Sequence, residues 1–136
     1  MALEIRKLND NDYDDLLVGW WKDWGWEPIS KDFLPDTGKG GLMVMDGDIP
    51  VCAGFFYLTN SKVAWVDFVI SNKQYRKKPE RSKAITLLIA ALTTICTDLG
   101  YKFSYTLLKN KSLMNTYENL GYVKGDSQIS EMIKIF

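Results

Sequence analysis

An apolar strand, a long helix and a second strand follow one another in the second half of the chain, and this order constrains the fold most. Residues 63–71 are almost all apolar, as in a strand buried on both faces. Apolar residues then recur at helical spacing from about residue 81 to Leu99, and Gly100 ends that pattern. Residues 101–108 are predicted to form the next strand. Two strands joined through a helix lie parallel in one sheet.

The first half of the chain predicts antiparallel strands and an amphipathic helix. An opening strand covers about residues 3–8, and apolar residues from Tyr13 to Trp24 recur at the spacing of a helix. A short helical turn is expected around residues 30–34. Residues 42–45 and 51–58 are expected to form a hairpin, because the turn sequence Asp-Gly-Asp lies between them.

The last third of the chain predicts one more helix and one more strand. A short helix is expected over about residues 112–120, and a final strand from Gln128 to Ile135. An antiparallel meander followed by a strand–helix–strand unit requires a mixed sheet with helices on its faces. We therefore expect an α+β fold, with a mixed, mostly antiparallel sheet flanked by helices. No repeat, low-complexity segment or linker interrupts the chain, so residues 1–136 are expected to form a single domain.

The composition narrows the chemistry. The chain contains no histidine, which excludes the catalytic triads that rely on imidazole and most zinc sites. Cys52 and Cys96 lie far apart in apolar segments without metal-ligand spacing, so we expect buried free thiols, a reducing compartment and no bound metal. No apolar run reaches the length of a membrane span, and we expect a cytoplasmic protein without membrane contact.

The net charge is zero, but the charges are unevenly distributed. Residues 1–36 contain nine acids and four bases, whereas residues 76–83 contain five bases and one acid. A compact basic cluster suits a small polyanionic ligand better than a nucleic acid, which needs an extended basic face. The alternative is a solvated basic loop without a binding role.

The segment from Asn110 to Tyr122 carries the most specific functional pattern. Asn110 or Ser112 can cap a helix there, and Gly121 suits the left-handed position beyond its end. Leucine would satisfy packing where the chain has Tyr117. The reference pKa of a phenol, about 10, exceeds that of a thiol, about 8.5, so a phenol can return a proton to a departing thiolate. The alternative is a capped core helix whose tyrosine only packs.

This pattern of Asn, then Tyr-Glu-x-x-Gly-aromatic, resembles the carboxy-terminal motif of the GNAT superfamily of N-acetyltransferases. The order of elements is also similar to the GNAT fold over nearly the whole chain. In that family an acidic residue interrupts the apolar fourth strand, and an arginine begins the loop motif that follows. Asp67 and Arg76 fall on these positions, with Val66, Val69 and Ser71 on the other strand positions.

The loop departs from the family pattern. Pro79 and Arg81 occupy the positions of two glycines, which in the family let backbone N–H groups approach a pyrophosphate at the start of the helix. Proline has no N–H to donate. We expect side-chain cations to replace these donors; the alternative is that coenzyme binding has decayed. Glycine-poor loops of this kind occur in divergent family members, including viral ones, so a virus-encoded origin stays open.

The resemblance implies an N-acetyltransferase that takes an acetyl group from acetyl-CoA, with Asp67 as the base that deprotonates an amine and Tyr117 as the acid. Burial in the apolar strand would raise the pKa of Asp67, as such a base requires. The alternatives for Asp67 are a solvent-facing position and a bond to a turn amide. The coenzyme would be held by strand amides, the basic loop and the motif helix, that is, by Val69, Ile70, Ser71, Arg76, Lys77, Lys78, Arg81, Ser82, Lys83, Asn110 and Tyr117.

In the GNAT fold the first helices and their loop form much of the acceptor pocket. The resemblance therefore places Trp26, with Tyr57 and Trp65, in the pocket wall, where the rings can stack on a cation or on another ring. The three tryptophans of the first helical stripe are expected in the core, and a core position is also the alternative for Trp65. The acidic first third of the chain favours a cationic acceptor, such as a lysine in a peptide, a polyamine or an amino sugar.

Two other classes of function stay open. A coenzyme-A-binding pseudoenzyme would keep the fold and the basic loop without turnover. An interaction module would use the aromatic amino-terminal region to bind another protein. For the enzyme, the expected partner is a small-molecule or peptide amine rather than nucleic acid, and a homodimer stays open.

Overall fold

The computed structural model describes residues 2–136 and contains a five-stranded sheet whose strands lie side by side in chain order. The first four strands pair antiparallel, and the fifth lies parallel to the fourth. This arrangement confirms the α+β prediction and the mixed, mostly antiparallel sheet. The strands are β1 Leu3–Lys7, β2 Gly41–Asp46, β3 Ile49–Leu58, β4 Val63–Ser71 and β5 Phe103–Tyr105.

Helices cover both faces of the sheet. On one face a π-helical turn over Tyr13–Leu17 continues into helix α1, Val18–Asp23, and short 3₁₀ turns follow at Lys31–Phe33 and Pro35–Gly38. On the other face lie helix α2, Glu80–Asp98, and helix α3, Lys111–Asn119. These two sides of the sheet are termed the α1 face and the α2 face.

Each face has its own apolar core. On the α1 face, Trp20 and Trp21 are buried with Phe55 and Ile70. On the α2 face, the buried side of α2 packs on strand residues such as Val66, and the motif tyrosine of α3 joins the same cluster. The sheet is therefore buried on both sides, which explains why its central strands are almost continuously apolar.

Gly54 on β3 lets helix α2 approach the sheet. A Cβ atom at this position would lie 3.1 Å from Leu92 Cδ1 and 3.3 Å from both Leu88 Cδ2 and Val69 Cγ2. These distances are tighter than ordinary van der Waals contact, so a larger residue would push the helix away from the strand. The small residue in β3 thus serves the packing of α2.

The C-terminal strand prediction was wrong. Residues 128–135 form no strand, and β5 covers only three residues instead of the predicted run 101–108. Beyond Tyr105 the chain leaves β4 and so loses the partner that would extend its ladder. A three-residue edge strand offers few backbone groups for a further strand to pair with. The other predicted helices and strands are confirmed.

Two further sequence expectations concern the cysteines and membrane contact. Cys52 and Cys96 are free and buried, as expected. None of the helices described for residues 2–136 combines the length and the apolar character that crossing a membrane requires.

A buried polar pair ties the loop before α2 to the hairpin of β2 and β3. The Tyr75 hydroxyl donates a hydrogen bond to Asp46 Oδ2, and the two residues are 3% and 5% exposed. The bond to Asp46, together with burial, raises the pKa of Tyr75 to about 12 from its ordinary value of 10.0. The neutral phenol therefore anchors the basic loop to the edge of β2.

We predict that Tyr75→Phe destabilises the fold. The substitution leaves the buried Asp46 carboxylate without its hydroxyl donor, which costs about 1–3 kcal/mol. The measurement is urea unfolding at neutral pH, with Tyr105→Phe as a control because that side chain is 51% exposed. Since the folded-state pKa of Tyr75 is raised, the stabilisation is complete below about pH 10, the unfolded-state pKa, and is lost as pH rises through about 12. Equal unfolding free energies for the two variants would contradict the prediction.

Candidate active site

A gap opens in the sheet where β5 turns away from β4. The two strands pair only between Val63–Trp65 and Phe103–Tyr105. β4 then continues to Ser71, whereas the chain after Tyr105 leads to helix α3. Within residues 2–136, no strand pairs with this edge of β4 beyond Trp65. Backbone N–H and C=O groups that face such a gap can bind an extended ligand.

A β-bulge in β4 lies beside this gap. Ala53 of β3 pairs with Ile70 and Phe55 pairs with Asp67, so Gly54 faces two residues instead of one. At the bulge Phe68 adopts a φ of 54°, in the left-handed region that a large side chain rarely occupies. The extra residue places both Asp67 and Phe68 on the α1 face, which regular alternation forbids.

Asp67 is half-buried and lines a cleft on the α1 face. Its Oδ1 atom accepts hydrogen bonds from the Phe68 amide at 2.8 Å and from Thr106 Oγ1 at 3.3 Å. Burial is the main effect on this carboxyl group and raises its pKa, and the negative charge of Glu131 raises it further. The two hydrogen bonds and a third from the Leu107 amide lower the pKa, but the net result is a raised pKa. Asp67 thus bonds a backbone amide and also lines a cavity, and its role as a base stays a prediction.

Tyr117 reaches the start of the gap from the α2 face. The residue is 2% exposed, and its hydroxyl donates to the Val66 carbonyl oxygen at 2.9 Å. Burial is the main cause that raises the pKa of the phenol, and the charge of Asp67 adds to it. Tyr117 is therefore neutral at physiological pH, with its hydroxyl at the backbone of the residue next to Asp67.

Thr106 lies between the acid and the phenol. It is the first residue after β5, and its hydroxyl donates to Asp67 Oδ1. The same hydroxyl lies close enough to Tyr117 to oppose the rise in the pKa of that phenol caused by burial. The sequence analysis missed Thr106, because a single threonine in a predicted strand carries no signal of its own.

The cleft beside Asp67 has a volume of about 310 Å³. Tyr57 and Trp65, two of the residues proposed for the acceptor pocket, line it together with Phe33 and Glu131, which the sequence analysis did not name. Trp26 does not line this cleft, so the structure does not bring the three proposed aromatic residues together there. Trp26 is 54% exposed and stacks on Trp24 at a centroid distance of 5.9 Å.

Trp24 holds the far end of β4 in place. Its indole Nε1 donates to the Ser71 carbonyl oxygen at 2.8 Å, and its ring lies 5.8 Å from the Arg81 guanidinium carbon and 5.4 Å from Lys73 Nζ. Arg81 also donates to Ser71 Oγ at 3.2 Å. Its buried Nε has no hydrogen-bond partner among residues 2–136. The Arg81 guanidinium is thus fixed at the start of α2, and its Nε–H group is a hydrogen-bond donor without an acceptor in the described part of the chain.

The other cations of the basic loop, residues 76–83, project into solvent. Arg76, Lys77, Lys78 and Lys83 are exposed, as is Ser82, and within residues 2–136 none of the four cations forms an ion pair. Arg76 donates to the Lys73 carbonyl oxygen at 3.0 Å. The cluster therefore carries uncompensated positive charge, which attracts anions.

Three further residues proposed for the coenzyme lie along the gap or at its exit. Val69 is half-buried and Ile70 buried, on the stretch of β4 beyond its pairing with β5. Asn110 caps α3, because its side-chain oxygen accepts a hydrogen bond from the Leu113 amide at 3.0 Å. Its side-chain NH₂ group is the part left to bind a ligand. Among residues 2–136, no group of cysteine and acidic side chains is arranged to hold a metal ion.

The fold is that of GNAT acetyltransferases. It matches a GNAT family acetyltransferase from Staphylococcus aureus with a TM-score of 0.62 and 16% identity, covering 98% of this chain and 100% of that one. No family model matches the sequence. None of the curated proteins matches it either.

Two other solved structures show the same likeness. A variant of the Thermus thermophilus protein TTHA1254 has a TM-score of 0.71 and 15% identity, with 98% of both chains covered. An aminoglycoside acetyltransferase from an uncultured soil metagenomic sample, in complex with sisomicin, has a TM-score of 0.67 and 12% identity, with 98% of this chain and 97% of that chain covered.

We predict that Thr106→Val raises the pKa of Asp67. The substitution removes a hydrogen bond that favours the charged carboxylate, while burial continues to favour the neutral acid. The measurement is a ¹³C NMR titration of the Asp67 carboxyl carbon. Thr106→Ser keeps the hydroxyl and is expected to leave the titration near that of the native protein. A lower or unchanged Asp67 pKa in the valine variant would contradict the prediction.

Proposed function

We propose that the protein is an N-acetyltransferase that moves an acetyl group from acetyl-CoA to a primary amine. One observation carries the proposal: at the gap between β4 and β5, an acid with a raised pKa and a neutral phenol lie on opposite faces of the sheet, with Thr106 between them. The GNAT fold supports it, since neighbours of that fold include acetyltransferases.

The residues present are suited to coenzyme A. The coenzyme supplies an acyl group activated as a thioester, together with a thiolate leaving group. The β4 amides near Val69 and Ile70 would bind the thioester and the pantetheine arm, with the Asn110 NH₂ group as a further donor. The basic loop would bind the pyrophosphate, because its exposed cations have no acidic partners and Arg81 Nε has no acceptor.

Asp67 and Tyr117 would move the protons. An amine arrives as an ammonium ion and must lose a proton before it attacks, and a carboxylate with a raised pKa is a better base for this step. Tyr117, held by the Val66 carbonyl, would donate its proton to the leaving thiolate. As the new C–N bond forms and the C–S bond breaks, the nitrogen would release its second proton to solvent. Thr106 would then pass the proton held by Asp67 to the Tyr117 phenolate, so that both groups return to their starting states.

We predict that Lys77→Gln combined with Lys78→Gln weakens acetyl-CoA binding about fivefold. The double substitution removes two exposed charge pairs with the coenzyme phosphates, and each pair is worth about 0.5 kcal/mol. The measurement is calorimetric titration of the full chain with acetyl-CoA at low salt, repeated at high salt, where the difference is expected to shrink. Lys102→Gln is the control, since Lys102 is exposed and outside the basic loop. Failure of the native protein to bind acetyl-CoA would reject the proposed function and favour the interaction module.

We predict that Tyr117→Phe lowers kcat about 100-fold, the lower end of the range for general acid catalysis, while the dissociation constant of acetyl-CoA changes little. The measurement is release of free thiol from acetyl-CoA in the presence of a primary amine that the native protein acetylates. Tyr101→Phe is the control, because its hydroxyl also donates to a carbonyl oxygen, that of Thr59 at 2.8 Å, but the residue precedes β5 and does not lie on α3. An unchanged kcat would remove the acid role of Tyr117.

A further inference from the structure

The cleft beside Asp67 combines aromatic walls with a small number of charges. Its volume of about 310 Å³ is at the lower end of the range for small-molecule sites. Four aromatic side chains and two carboxylates line it, and the other lining residues are apolar or hydroxylic. The aromatic residues are Phe33, Tyr57, Trp65 and Phe68, and the acids are Asp67 and Glu131.

The aromatic walls are held in place by contacts with one another. The Tyr57 hydroxyl donates to the Phe33 carbonyl oxygen at 2.8 Å, which ties a 3₁₀ turn to β3. Phe68 packs against Phe33 at 5.9 Å and against Tyr57 at 6.2 Å between ring centroids. Trp65 packs edge-on to Tyr105 at 4.5 Å. A preformed aromatic cleft binds an apolar ligand with little cost in ordering.

The acids of the first third of the chain do not contribute to this cleft. Asp12 pairs with Arg6 and Asp14 with Lys31, and no acid of residues 1–36 lines the cavity. The net negative charge of that segment therefore gives no reason to expect a polycationic acceptor. Negative charge in the cleft comes from Asp67 and Glu131. The two are close enough for the charge of Glu131 to raise the pKa of Asp67.

We propose, on the basis of the proposed function, that the acceptor is a primary amine on an aromatic body, with a single cationic group. Its ammonium would lie between Asp67 and Glu131, and its ring would pack against Tyr57 and Trp65. A polyamine or an amino sugar would bring further ammonium or hydroxyl groups against apolar walls, where they lose hydration without gaining partners. The proposal thus narrows the cationic acceptors that the charge of residues 1–36 favoured to amines with one positive charge and an aromatic ring.

The test is calorimetric titration of the full chain, saturated with coenzyme A, with 2-phenylethylamine, spermidine and kanamycin. We expect 2-phenylethylamine to bind at least about tenfold more tightly than the other two. Phe33→Ala is expected to weaken its binding about fivefold, whereas Phe103→Ala, which removes an aromatic ring that is 65% exposed and outside the cleft, is expected to have no effect.

A second comparison tests the role of charge. Glu131→Gln is expected to weaken binding of 2-phenylethylamine but not of the uncharged 2-phenylethanol, because only the amine carries a positive charge.

Tighter binding of spermidine or kanamycin, or equal effects of Phe33→Ala and Phe103→Ala, would overturn the inference. If spermidine is acetylated and 2-phenylethylamine is not bound, the inference fails while the proposed function stands. If 2-phenylethylamine binds as expected but no amine is acetylated, the proposed function fails and the assignment of the cleft stands.

Discussion

The left-handed conformation of Phe68 determines how the centre of the sheet is arranged. A non-glycine residue in this region costs about 1–3 kcal/mol and persists only when its surroundings enforce it. Here the Phe68 ring packs against Phe33 and Tyr57, and its amide donates to Asp67. The extra residue opposite Gly54 turns Asp67 towards the aromatic cleft and returns Val69 to the α2 face. The position of the acid and the aromatic wall beside it therefore share one structural cause, whereas the exposed edge of β4 arises because β5 ends at Tyr105.

The regular elements could be predicted because their apolar periodicity matches the faces they bury. The strand Val63–Ser71 has the predicted bounds, and α3 is capped by Asn110, one of the two cap residues that the sequence allowed. The bulge at Phe68 could not be predicted, because β4 is apolar on both faces and one additional residue does not disturb such a pattern. For the same reason, the sequence does not indicate on which face of the sheet Asp67 lies.

The candidate site was harder to predict, because it depends on contacts between distant segments. Asp67 was predicted because it interrupts an apolar strand and Tyr117 because its motif resembles that of the GNAT superfamily, but Thr106 meets them only because β5 ends at Tyr105. Glu131 lies in a segment that was predicted to form a strand and instead runs without regular structure beside the cleft. Trp26 was assigned to the cleft because it falls off the helical stripe, but that position is equally compatible with stacking on Trp24.

The two cysteines have a consequence for how the protein responds to thiol reagents. Burial raises the pKa of the Cys52 thiol to about 12, although the charge of Arg81 opposes the change, and burial also raises the pKa of Cys96. Only a thiolate reacts readily with alkylating agents or oxidants. Cys52 lies on β3 and Cys96 on α2, packed into the same core. Alkylation of these residues would therefore proceed only when α2 separates from the sheet, and its rate would measure the frequency of that opening.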